Sequence, residues 1–479
     1  MKVNWLIVCC LICFGSLSAQ EEAHLLGQWS DSTLVGSAWY DNIYNEVWGV
    51  AVNGREFAVV GSTAGTHFID VTEPHAPEQV QFVPGAAQGG AIIHRDYHDF
   101  GDYLYAVCDE GPSTLQIMDI SQLPDTVLVP YDTNAEIRTA HNIFVDTATA
   151  KLYAFALNGG SLGYSAMRLY DISEPLNPQP LGEYNNFGGL FAGHVHDGYV
   201  RDDIAFLNCG TDGFAIVDFS DPANPNTIST LTDYPARGYN HSGWLTDDAR
   251  YYYMGDENHG YDIKAIEVAN PCEPDVRTTF NAEVPNPNSI PHNQVVACDY
   301  LYVPYYYDGL MVYDISDPAN PEKVLYYDTS EEPNGTSYKG AWGVYPFLPS
   351  GNILVTDMQE GLFVFEAVDA DCAANQQLAP VDLDCLTPTS TEEVLAVKGL
   401  EVFPQPARDQ LQVSWAEMAE GQPLQAQLYA PTGQLVHTWQ PTALSAKFEL
   451  TLPNGLNAGL YVLRLQQGGR EASARVVVW

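Results

Sequence analysis

The chain has 479 residues, with 61 acidic against 19 basic side chains and a formal charge of −42. That imbalance repels phosphate, and with no Lys/Arg cluster anywhere it excludes nucleic acid as a partner. With 46% hydrophobic and only 17% charged residues, the chain reads as folded rather than as an acidic disordered segment.

Residues 1–19 read as a secretory signal peptide. Lys2 supplies the positive charge, residues 5–14 the apolar run, and Leu17-Ser18-Ala19 a small-residue exit before Gln20. The run is too short to span about 30 Å of hydrocarbon. Cys9, Cys10 and Cys13 lack the residues that precede a lipidated cysteine. No transmembrane segment is expected in the mature chain. Export carries Cys108, Cys209, Cys272, Cys298, Cys372 and Cys385 into an oxidising compartment, and Cys372 with Cys385 is the expected local pair.

Residues 20–370 are a repeat. An apolar strand ends in Asp or Glu, and in most copies a small residue and Pro follow, as in Phe68-Ile69-Asp70-Val71-Thr72-Glu73-Pro74. The acid recurs at Asp119, Asp171, Asp218, Glu267, Asp314 and Glu366, a spacing of 47 to 52 residues. Such a period with alternating strand pattern predicts an all-β fold, a β-propeller of about seven four-stranded blades. The Asp-x-Ser/Thr-x-Pro segment is the expected turn between third and fourth strands. Residues 25–29 resemble the fourth strands and are expected to complete the last blade and clasp the ring.

One slot recurs just before each innermost strand. It holds Trp48, His98, His141, His196, His241, His292 and Trp342, so five of the twelve histidines share one position. The loops after the second strands add Asp109, Glu110, Asp256 and Glu257. These residues are the candidates for a ligand site at one channel mouth. Imidazole with carboxylate suits a divalent metal ion or acid–base chemistry. His141, His196, His241 and His292 are the metal candidates. The alternative is a polar lining that binds nothing. No catalytic residue is assigned, because no nucleophile elbow, Walker loop or His-Glu-x-x-His is present.

The strings Glu46-Val47-Trp48-Gly49, Ala140-His141-Asn142, His241-Ser242-Gly243-Trp244, His292-Asn293-Gln294 and Gly340-Ala341-Trp342-Gly343 resemble the choice-of-anchor B family, built on LVIVD repeats. The resemblance covers residues 24–368 and implies a bacterial surface or secreted propeller without an assigned reaction. Near His98 the family more often carries Lys.

Residues 371–398, with Pro380 and Pro388, read as a linker. Residues 399–479 show short strands broken by turns at Pro431-Thr432-Gly433 and Asn454-Gly455, which predicts a small β-sandwich. Val402-Phe403-Pro404-Gln405-Pro406-Ala407 and Leu460-Tyr461-Val462-Leu463-Arg464-Leu465 resemble the sorting domain of type IX secretion cargo in the Bacteroidetes. That resemblance implies type IX machinery as a partner and an extracellular or cell-surface location. The expected function is a binding or interaction module. The alternatives are a metal-dependent hydrolase or lyase at the channel mouth, or a structural or adhesive surface protein.

Overall fold

The computed structural model describes residues 21–159, 163–386, 400–415, 422–430, 434–441, 447–453, 455–467 and 470–479. The expected signal peptide, the later part of the linker, the Pro431-Thr432-Gly433 turn and Asn454 lie outside these residues. The chain divides into two compact units, Met1–Leu383 and Asp384–Trp479. Among the described residues no helix is long and apolar enough to cross a membrane.

The first unit is a seven-bladed β-propeller. Each blade runs antiparallel from the axis outward. Blade 1 is Tyr44–Val52, Arg55–Ser62, Gly65–Asp70 and Glu78–Pro84. The first strands of blades 2 to 7 are Arg95–Phe100, Asn142–Asp146, Asp197–Arg201, Asn240–Leu245, Val295–Ala297 and Ala341–Tyr345. Neighbouring blades touch in order, and the first strand of blade 7 packs on that of blade 1. The expected clasp forms: Leu25–Trp29 pairs antiparallel with Gly361–Phe365 as the outermost strand of blade 7.

The repeat signature has two jobs. Its acid side chain accepts the backbone N–H two residues on, as in Thr72 to Asp70 (3.0 Å), Ser173 to Asp171 (2.8 Å) and Ser316 to Asp314 (2.8 Å). This is an Asx-type turn that ends the third strand. Its proline faces the previous blade. Tyr105, Tyr184 and Tyr253 donate to the carbonyls of Pro175, Pro222 and Pro318 at 2.7–3.0 Å, and Ser229 donates to Pro271 at 2.6 Å. Second and third strands are apolar and buried on both faces, as parallel stacking of blades demands, while fourth strands such as Leu128–Thr133 alternate exposed and half-buried.

Cys372 bonds Cys298, not Cys385 as the sequence spacing led us to expect. The short helix Cys372–Asn375 after blade 7 packs on blade 6, where Cys298 caps the first hairpin. The first part of the expected linker also belongs to this unit. Ala379 donates to the Asp247 carbonyl (2.7 Å) and Val381 is buried.

The second unit is a two-sheet sandwich. Leu400–Phe403, Gln410–Trp415 and Lys447–Thr451 form one sheet. Gln425–Tyr429, Leu435–Trp439, Gly459–Gln467 and Arg470–Val478 form the other. Leu411, Val413 and Trp415 meet Leu428, Leu463 and Val476 in one core.

Candidate functional site

First strands begin, and second strands end, at one mouth of the propeller channel. Six ring side chains form a closed belt there. Centroid separations run His94–His141 4.5 Å, His141–His196 4.1 Å, His196–His241 4.1 Å, His241–His292 4.7 Å, His292–Trp342 4.3 Å and Trp342–His94 5.6 Å. Asp109, Glu110 and Glu257 join from the loops after second strands, and Tyr40, Tyr306 and Tyr338 wall one side. The cavity they enclose is about 230 Å³.

Four of the imidazoles commit Nδ1 to a fixed partner. His196 Nδ1 donates to the His241 carbonyl (3.0 Å) and His292 Nδ1 to the Trp342 carbonyl (2.6 Å), each reaching the next blade. His141 Nδ1 donates to Asp109 (2.8 Å). Ser242 Oγ gives its hydrogen to the His292 carbonyl (3.0 Å), so it accepts from His241 Nδ1 (3.0 Å). In His196, His241 and His292, Nε2 is left as the lone-pair nitrogen. Burial, then the neighbouring imidazoles, hold His196 and His241 well below the usual histidine value. Burial holds His292 at about 3. Burial would lower His141 too, but the Asp109 carboxylate outweighs it and raises it. Burial pushes Glu257 up to about 7, against the Tyr306 hydroxyl that donates to Oε1 (2.5 Å). Among the described residues, His196, His241 and Glu257 bring three donor atoms within 4.8 Å of one another and could hold a metal ion.

The structure gathers His141, His196, His241, His292, Trp342, Asp109, Glu110 and Glu257 at this mouth. It does not place three other candidates there. His98 and Trp48 belong to a second belt further along the channel, with Phe144, Tyr199, Trp244, Phe347 and Tyr345 at centroid separations of 4.3–5.8 Å. His98 stands two residues before the end of its strand, whereas His141 and His196 stand five before theirs. His94, just before the first residue of its strand as His141 and His196 are, fills the slot in blade 2. Asp256 is fully buried and faces away, held by Lys264 Nζ (2.7 Å), the Gly238 N–H (2.7 Å) and the Tyr234 hydroxyl (3.0 Å). Its role is structural.

Between the belts lies a chamber of about 70 Å³ lined by Glu46, Asp96, Asn142, Asp197, Ser242 and Asn293. Burial pushes Glu46 up to about 7 and Asp197 up to about 6, and burial with the Glu46 charge raises Asp96 well above its usual range. A carboxyl with a raised folded pKa stabilises the fold while protonated. For Glu46 that contribution is complete below about pH 4.5 and lost as pH rises through about 7. The shift corresponds to about 3 kcal/mol. Chemical denaturation of wild type and Glu46→Gln at pH 5 and pH 8 checks this. The variant should gain about that amount on wild type between the two pH values, and an unchanged difference would count against a protonated Glu46.

Residues 192–233 and 294–329 match the LVIVD repeat family, and residues 401–479 match the secretion system C-terminal sorting domain. No curated protein matches the chain. Among solved structures it is similar to the RRP9 WD40 repeats, at 10% identity over 72% of this chain and 99% of that one, with a TM-score of 0.49. It is also similar to the Cps50 (Swd1) β-propeller domain of Myceliophteria thermophila, at 11% identity over 72% and 100% of the two chains, with a TM-score of 0.49. A third, Saccharomyces cerevisiae Sqt1, has 10% identity over 65% and 81%, with a TM-score of 0.44. The sorting domain indicates export and an extracellular or cell-surface location.

Proposed function

We propose that this is an exported propeller acting as a binding module, which takes a small hydrogen-bonding ligand at the imidazole-lined mouth. One observation carries the reading. Among the described residues, the belt collects ring nitrogens whose hydrogen-bonding capacity is left unused: Nε2 of His141, His196, His241 and His292, and Nδ1 of His94 and Nε1 of Trp342, the last two buried without a partner. Buried polar atoms are rarely left unpaired without a reason, and a concave polar cavity is where a ligand supplies one. A signal peptide, type IX export and the choice-of-anchor B resemblance fit the same reading.

Thermal shift against a panel of monosaccharides, amino acids and small carboxylates tests it, using wild type and Asp109→Arg, which lays a long cation across the mouth. A true ligand at about 100 times its Kd stabilises the fold by about 2.7 kcal/mol. We expect that shift in wild type and its loss in the variant. Equal shifts in both would place binding elsewhere. The Asp109–His141 pair favours a second reading, a metal-dependent hydrolase or lyase, because a carboxylate-oriented imidazole suits proton transfer. Ester or glycoside turnover abolished by His141→Gln would select it.

A further inference from the structure

We propose that His196, His241 and Glu257 bind one divalent first-row transition-metal ion, with a fourth coordination position open to the mouth. This rests on the mouth being the binding site and names what it binds first. Three features favour it over a lining that only fills space.

The donors are matched. Nε2 is the free nitrogen of both imidazoles, because each Nδ1 donates elsewhere, to the His241 carbonyl and to Ser242 Oγ. Tyr306 occupies Glu257 Oε1, leaving Oε2 at 3.7 Å from His241 Nε2. Ligand atoms around a tetrahedral ion with bonds of about 2.0–2.1 Å stand roughly 3.4 Å apart, so a few tenths of an ångström close that pair onto a metal.

Each donor also has an outer partner that orients it, the arrangement that metal-ligating histidines and carboxylates adopt. A hydrogen-bonded belt of imidazoles would instead alternate donor and acceptor nitrogens. Here His196, His241 and His292 present the same lone-pair nitrogen, so they cannot satisfy one another. Finally, two imidazoles with one carboxylate suit zinc and its neighbours rather than calcium or magnesium, which prefer all-oxygen ligands. Three protein ligands with an open position is the pattern of a site that exchanges a ligand.

The test is calorimetric titration of Zn²⁺ into the full chain, purified without a histidine tag and stripped by chelator, at pH 7.5. We expect one ion per chain. Glu257→Gln, which keeps the shape, and His241→Ala should each weaken binding by more than about 100-fold, and Ser242→Ala, which removes an outer partner, by about tenfold. Melting of each variant reports whether it folds, and visible absorption of the Co²⁺ form reports four-coordinate geometry. No uptake by wild type, or uptake unchanged in folded Glu257→Gln, overturns the proposal. If zinc fails to bind while Asp109→Arg still abolishes an organic ligand's thermal shift, the metal site falls and the mouth stands. If zinc binds as expected but organic ligands ignore the mouth, the metal site stands alone.

Discussion

Deleting residues 21–30 should open the propeller. The variant is expected to unfold at a much lower denaturant midpoint and to self-associate on size exclusion. Leu25–Trp29 supplies the outer strand of blade 7, and Trp29 packs against Tyr44 (5.9 Å) and His67 (5.2 Å) of blade 1. The segment therefore ties the last blade to the first. Its removal loses several ladder bonds of about 1 kcal/mol each and the burial of Leu25 and Trp29, on the order of 5 kcal/mol together. It also bares the edge of Gly361–Phe365, a template for pairing with another chain. Gly27→Val gives a milder version, because a side chain there meets the Pro74 carbonyl and the Pro77 ring, and overpacking costs about 1–3 kcal/mol. An unchanged midpoint in the deletion would mean the ring holds without its clasp.

Lys264→Met should cost about 3–5 kcal/mol, since it leaves Asp256 charged and fully buried. Lys264 Nζ reaches Asp256 (2.7 Å) and the Asp262 carbonyl (2.8 Å), with Tyr234 and Tyr261 rings at 5.8 and 5.7 Å. Asp256→Asn strands the lysine instead, at a similar cost. The double variant should recover a large part, because a neutral pair needs no counter-charge. Urea unfolding of the four proteins measures the coupling. A single-variant loss below about 1 kcal/mol would show that the pair is not carrying its burial. The pair also anchors the loop that presents Glu257, so metal affinity should fall in the single variants and return in the double.

The propeller was legible because its signature repeats. A strand closed by Asp and a small polar residue reports its own end through one local hydrogen bond, and six or seven copies fix the period. The clasp was legible because Leu25–Trp29 looks like a fourth strand with no blade of its own. The site was legible only where blades keep the same register. In blade 2 His94 and His98 compete for one slot, and only the hairpin position, set by pairing across the blade, chooses between them. Asp256 looked like a mouth ligand because nothing near it in sequence announces that Lys264 turns inward to meet it. The tautomers were invisible for a similar reason, since in blades 4 and 6 the partner is a carbonyl on the following blade. The Cys298–Cys372 bond joins positions 74 residues apart that meet only because the segment after blade 7 folds back onto blade 6.

The prolines of the signature have a consequence for what counts as the repeating part. The carbonyls of Pro175, Pro222, Pro271 and Pro318 each serve the blade before their own. A single blade cut from the ring would keep its strands but lose the partner of its most recognisable residue. The interchangeable piece is thus the seam between blades. Grafting a blade between two such proteins should succeed when the donor hydroxyl upstream travels with the turn, and fail when the cut falls between them.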